Sequence, residues 1–148
     1  MNLLIDPGTL RRIHAHGEAA YPHEGAGFLL GREEGSIRWV LDIFPVENER
    51  QGEEARRRYL LGPEEMLRAE TEATRQGVQL LGVFHSHPDH PNQPSEFDRE
   101  WALPWLSYII TSVEQGQALE SRAWRLKDDR SGFEEESLEP HKIAKNSS

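Results

Sequence analysis

The stretch from Val78 to Asp98 constrains this chain most, because it joins a buried strand, two histidines and a carboxylate on a second element. Val78 to Phe84 is apolar, rich in branched and aromatic residues, and preceded by Gly77, as a buried strand is. On a strand, residues i and i+2 face the same way, so His85 and His87 can aim both imidazoles at one ion. A Pro-rich loop follows, and a short helix is predicted to begin at Ser95, bringing Asp98 in as a third ligand. Two histidines and one carboxylate leave a fourth position open on a tetrahedral zinc ion, the pattern of catalytic rather than structural zinc. Hydrolysis is the chemistry that pattern predicts.

The length of 148 residues allows one ordinary domain that buries roughly 70% of its unfolded surface. Cysteine is absent, so there are no disulfides or thiolate ligands, and a Cys-ligated zinc deaminase is excluded. A formal net charge of -9 argues against non-specific binding to nucleic acid or to anionic membrane surfaces, both of which need a basic footprint. A basic or neutral protein partner remains compatible with it. The start, Met1 to Pro7, has no basic region and only a short apolar run, which predicts neither a signal peptide nor a membrane span and makes the cytoplasm the expected location.

Along the chain, Asp6 is a predicted N-cap and Pro7 a first helical residue, with Leu10, Ile13, Gly17, Ala20 and Tyr21 on one face and Pro22 as the stop. This helix carries a second His-x-His, His14 and His16. Helical i and i+2 positions point about 200° apart, so this pair cannot share an ion. Glu24 then leads into a Gly-rich apolar strand ending at Gly31, and Ser36 to Val46 is its predicted hairpin partner through the Arg32 to Gly35 turn. Glu47 to Arg58 is almost wholly polar and reads as a solvated loop, with a substrate-docking lid as the alternative. Pro63, followed by Glu64 and Glu65, opens a helix that Gly77 closes. After the metal stretch, a helix is predicted to end at Pro104. Strands follow over Leu106 to Ser112 and Ala118 to Lys127, with a final edge strand over Phe133 to Leu138. The domain is expected over 1–139, with 140–148 a disordered tail.

Glu24, His85-x-His87-Pro88 and Ser95-x-x-Asp98 together resemble the signature of the JAMM (MPN-type) zinc metalloproteases, in its small prokaryotic form. The likeness covers the first helix to about Lys127. It implies an α/β fold in which a curved mixed sheet is flanked by helices, with cytidine-deaminase-like architecture. It also implies zinc held by His85, His87 and Asp98, Glu24 as general base on the attacking water, and Ser95 as the donor that stabilises the oxyanion. The implied substrate is the C-terminal tail of a ubiquitin-like or sulfur-carrier protein, cleaved as a peptide or isopeptide bond, and a homodimer is compatible with the family. Two other classes stand beside this one: a scaffold subunit that has lost its metal, and a nucleic-acid repair relative, which the acidic charge disfavours.

Each residue also has a plainer reading. Ser95 with Asp98 three residues on is a helix-capping box with an acidic third residue, a role that alone would select serine. Asp98 is favourable at a helix start whether or not it binds a metal. Glu24 without the motif is an ordinary surface glutamate. His23 and His90 read as solvated loop residues before substrate contacts. Trp101 and Trp105 could wall a groove, but at least one of them is expected in the core.

Overall fold

The computed structural model describes residues 2–47 and 62–143. Among them the chain runs β1 (Asn2–Ile5), α1 (Pro7–Ala20), β2 (Ala26–Glu34), β3 (Ile37–Val46), α2 (Pro63–Gln76), β4 (Gln79–Pro88), α3 (Glu96–Trp101), β5 (Ser107–Glu114), β6 (Gln117–Leu126) and β7 (Phe133–Pro140). The reading of Glu47 to Arg58 as a loop or lid falls, beyond Glu47, outside the described residues, as does that of a tail over 144–148.

Local chemistry sets the helix ends. Asp6 accepts the Gly8 N–H at 2.9 Å and Pro7 occupies the first helical position of α1. Glu65 reaches back to the Gly62 N–H at 3.1 Å at the start of α2. Gly77, at φ 73°, ends α2 in the left-handed conformation, with Val78 N–H donating to the Ala73 carbonyl. Helix α3 stops at Trp101, three residues short of the expected Pro104, because Ala102 already has extended backbone.

The mixed α/β character is as expected, but the sheet is closed. Its order is β1-β3-β2-β4-β5-β6-β7, and β1 pairs in parallel with both β3 and β7, which joins the two ends. Phe133 to Leu138 is therefore no edge strand, since β7 lies between β6 and β1. The domain also runs past residue 139: Pro140 pairs with Ile5, and the His141 N–H donates to the Ile5 carbonyl at 2.8 Å.

All seven strands feed the barrel interior, with Leu3, Leu29, Val40, Leu81, Ile109, Ala123 and Leu138 in one cluster, into which α1 inserts Leu10 and Ile13. A second core, with Phe28, Val83, Leu106 and Tyr108, lies on the outer face beneath Met66 and Ala69 of α2. Within the interior, Arg38 is buried and donates to the Leu81 and Trp105 carbonyls and to Ser107 Oγ, with Glu33 as its ion-pair partner at 2.6 Å. No helix among the described residues is long and apolar enough to cross a membrane.

The β2–β4 pairing shifts register between Leu29 and Leu30, and this irregularity decides which way β4 presents its end. Beyond it, Phe84 faces the interior while Val83 faces the outer core, so the two-residue period carries His85 and His87 to the outer side with Val83. The parallel β4–β5 pair needs a crossover connection, and the connection contains α3.

Gly82 permits this parallel pair to close, because a Cβ there would lie 1.9 Å from the Ser107 carbonyl oxygen. Gly82→Ala is expected to cost about 2–3 kcal/mol or more by overpacking, read as the urea midpoint of unfolding. Gly132→Ala, with nothing within 4 Å of its Cβ, should stay within about 0.5 kcal/mol of the parent. Equal unfolding midpoints for the two would contradict the β4–β5 register.

Candidate metal centre

At the end of β4 three donor atoms converge. His85 Nε2 and His87 Nε2 stand 3.1 Å apart, and each lies 3.2 Å from one oxygen of Asp98, Oδ1 for His85 and Oδ2 for His87. All three residues are buried, at 1%, 6% and 4% exposure. A tetrahedral zinc ion with ligands at about 2.0–2.1 Å holds them about 3.3–3.4 Å from one another. The nitrogen pair, at 3.1 Å, is a few tenths of an ångström closer than that, and the carboxylate faces the pair with one oxygen toward each imidazole.

The tautomer of His87 agrees with this. Its Nδ1 lies 2.8 Å from the Pro91 carbonyl, which can only accept, so Nδ1 carries a proton, and in the neutral ring Nε2 is the nitrogen that offers a lone pair on the side of His85 and Asp98. These three buried residues form a group that could hold a metal ion, and His14 and His16 take no part in it. Those two are half-buried: His14 Nε2 pairs with Ser121 Oγ at 2.9 Å, and the His16 ring sits edge-on to Phe84.

Electrostatics keep the triangle poised for a cation. Burial alone would raise the Asp98 carboxyl. The two imidazoles and the Ser95 amide overcome it and hold the group well below the usual carboxylate range. Burial lowers His85, more than Asp98 raises it. Burial would lower His87 as well, but Asp98, the Pro91 carbonyl and the charge of Glu24 hold it above its ordinary value.

Helix α3 delivers Asp98 through a reciprocal cap. Ser95 Oγ accepts the Asp98 N–H at 3.1 Å, and Asp98 Oδ2 accepts the Ser95 N–H at 2.8 Å. The capping role of Ser95 is therefore real. It uses a lone pair of the hydroxyl and leaves the O–H proton to point elsewhere. Ser95 is exposed and lines a cleft of about 670 Å³ together with Glu24, His87, Pro22, Pro88 and Pro91.

Glu24 reaches this cleft through the antiparallel β2–β4 ladder. Ala26 pairs with His85, Gly25 carbonyl accepts the Ser86 N–H at 2.9 Å, and Gly25 N–H donates to Ser86 Oγ at 2.8 Å, which sets Glu24 opposite His87. Only 9% of Glu24 is exposed, so it is not the surface glutamate of its plainer reading. His90 also lines the cleft, whereas His23 does not. Neither tryptophan is core, contrary to the expectation for at least one of them: Trp101 is 60% and Trp105 52% exposed. Asn92 escaped sequence reasoning. It is buried beside the site, and nothing in a Pro-rich loop marks it as such.

Fold and site together are those of a JAB/MPN-type metallopeptidase domain, a hydrolase. The profile of the prokaryotic homologs of the JAB domain matches residues 6–127. The chain is 31% identical over 114 residues, 75% of its length and 72% of the relative's, to a probable TtuB-protein conjugate cleaving protease of Thermus thermophilus. It is 33% identical to a desampylase of Pyrococcus furiosus, over 71% of this chain and 68% of that one. The solution structure of a Desulfitobacterium hafniense protein superposes with a TM-score of 0.84 at 31% identity, covering 98% of this chain and 97% of the other. The chain belongs to the prokaryotic JAB family.

The ligand assignment is open to direct measurement. The purified protein is expected to carry about one zinc ion per chain, to release it to a strong chelator, and to lose it in His87→Ala or Asp98→Ala. A double His14→Ala, His16→Ala variant should keep the metal. Metal analysis giving the reverse pattern would move the site to the other His-x-His.

Proposed function

We propose that the chain is a zinc-dependent peptidase or isopeptidase that hydrolyses the amide bond following the C-terminal tail of a ubiquitin-like or sulfur-carrier protein. The observation that carries the reading is that Glu24, His87 and Ser95 line one cleft immediately above the buried His85, His87 and Asp98 triangle. The names of the relatives in Thermus thermophilus and Pyrococcus furiosus, a conjugate-cleaving protease and a desampylase, support the substrate class.

His85 and His87 offer neutral nitrogens and Asp98 a carboxylate oxygen, a set suited to zinc in a chain without cysteine. Zinc, when bound, supplies Lewis-acid polarisation of the scissile carbonyl and lowers the pKa of water. Glu24 takes the proton of the attacking water and returns it to the departing amine. Its position opposite His87 on the β2–β4 ladder and in the wall of the same cleft supports this role. Ser95, whose lone pair is engaged by the Asp98 N–H, donates its O–H to the carbonyl oxygen as negative charge develops there.

The route of the substrate is constrained by the closed sheet. Every described strand has a neighbour on both sides, but β3 beyond Val40 and β6 before Ala123 run past their pairing with β1 and β7; neither segment lines the cleft, so the route proposed for the peptide is along the cleft itself. Three prolines in its walls make that cleft stiff, which favours a thin segment such as a glycine-rich tail.

Two experiments test this. Glu24→Gln should keep zinc and lose at least about 10²-fold in turnover. Ser95→Ala should cost roughly 2.7–4 kcal/mol in the transition state if the hydroxyl donates to the oxyanion, against about 1 kcal/mol of stability with activity kept if it only caps. Wild-type turnover in Glu24→Gln would overturn the mechanism.

For the substrate, a sulfur-carrier fusion joined through Gly-Gly should be cleaved faster than the same fusion joined through Val-Val, and faster than an unfolded protein. Equal rates on all three would indicate a general protease.

A further inference from the structure

The loop between the two ligand-bearing elements, residues 89–94, is tied down at two separate shoulders. Its first half is anchored to β5 and the turn beyond it: Asp89 N–H donates to the Val113 carbonyl at 2.7 Å, Asp89 Oδ1 accepts the Gln115 N–H at 2.8 Å, and Ser112 Oγ donates to the His90 carbonyl at 2.8 Å. Its second half is anchored to β6 through one residue, Asn92. The Asn92 side-chain amide donates to the Glu120 carbonyl at 2.9 Å, and its backbone carbonyl accepts the Trp124 indole N–H at 3.0 Å.

Asn92 is only 8% exposed, which is unusual for an asparagine in a surface loop. Its location explains why this matters for the metal centre. The Pro91 carbonyl and the Asn92 nitrogen belong to one planar peptide unit, so whatever fixes Asn92 fixes the direction of that carbonyl. The same carbonyl accepts the His87 Nδ1–H at 2.8 Å. A mechanical chain therefore runs from β6 through Asn92 and the Pro91 carbonyl to the His87 ring, whose Nε2 faces His85 and Asp98.

We infer that Asn92, clasped by Trp124 and the Glu120 carbonyl, is a positioning residue of the metal centre, and that it sets the orientation and tautomer of His87 for metal binding. The inference rests on the reading of His87 as a metal ligand. It assigns β6 a part in the site although no residue of β6 lines the cleft. Groups that orient a ligating histidine through its second nitrogen commonly control metal affinity, with losses of about 10–100-fold when they are removed.

The test is a titration of zinc into metal-stripped protein against a chromophoric chelator, at a temperature where circular dichroism shows each variant folded. Asn92→Ala and Trp124→Phe should each raise the zinc Kd about tenfold or more. Trp124→Phe keeps an aromatic side chain, smaller than the indole, and removes the N–H that holds the Asn92 carbonyl, so it decides the matter if Asn92→Ala does not fold. His87→Ala in the same titration checks the underlying reading. Wild-type zinc affinity in His87→Ala would remove the ligand assignment itself. Loss of zinc in His87→Ala beside a wild-type Kd in Trp124→Phe and in any folded Asn92→Ala would overturn this inference alone, even if their metal-free melting temperatures fell, since that pattern is a purely structural role.

Discussion

Three lone-pair donors packed within about a hydrogen-bond length of one another, and screened from water, form an arrangement that the rest of the structure exists to enforce. His85 Nε2, His87 Nε2 and the Asp98 carboxylate are 3.1–3.2 Å apart. Burying such groups without a compensating positive charge is costly. Positive charge can reach them as protons on the imidazoles or as a metal ion at the centre, and the bond from His87 Nδ1 to the Pro91 carbonyl leaves Nε2 suited to the second. Strand β4 must therefore run four residues beyond Phe84, its parity must be set by the register shift near Leu29, and a crossover helix must return a carboxylate to the same point.

The return is economical in residues. Within Ser95 to Asp98 one reciprocal cap starts α3 and fixes the Asp98 carboxylate, since Asp98 Oδ2 holds both the Ser95 N–H and the contact to His87. Ser95 meanwhile faces the cleft with the proton that the cap does not use. The plain and the functional readings of these two residues are thus not rivals. A helix of six residues has little intrinsic stability, so the cap is also what keeps the Asp98 carboxylate in place.

What could be read from the sequence was whatever depends on near neighbours. The pairing of His85 with His87 follows from strand parity, the Ser95–Asp98 cap from its spacing, and the ends of α1 and α2 from Asp6, Pro7, Pro63 and Gly77. Glu24 could be placed only by resemblance, because its position depends on a ladder that joins Ala26 to His85 across 59 residues. Closure of the barrel was illegible for a different reason. Asn2–Ile5 is four residues long, too short for alternation to declare a strand, although Leu3 and Ile5 are fully buried. The same holds for Arg38, a charge inside the barrel held by two carbonyls and a hydroxyl that local pattern cannot supply, and for Asn92, whose burial depends on β6. Trp101 and Trp105 lie outside the core, which their apolar character alone did not reveal.

The central claim is that two imidazoles and one carboxylate of this chain surround a single zinc ion. X-ray absorption at the zinc edge of the metal-loaded protein measures this most directly. The account predicts a first shell of nitrogen and oxygen alone at about 2.0–2.1 Å, with outer-shell scattering from two imidazole rings. An all-oxygen shell, or scattering from one ring or none, would contradict it.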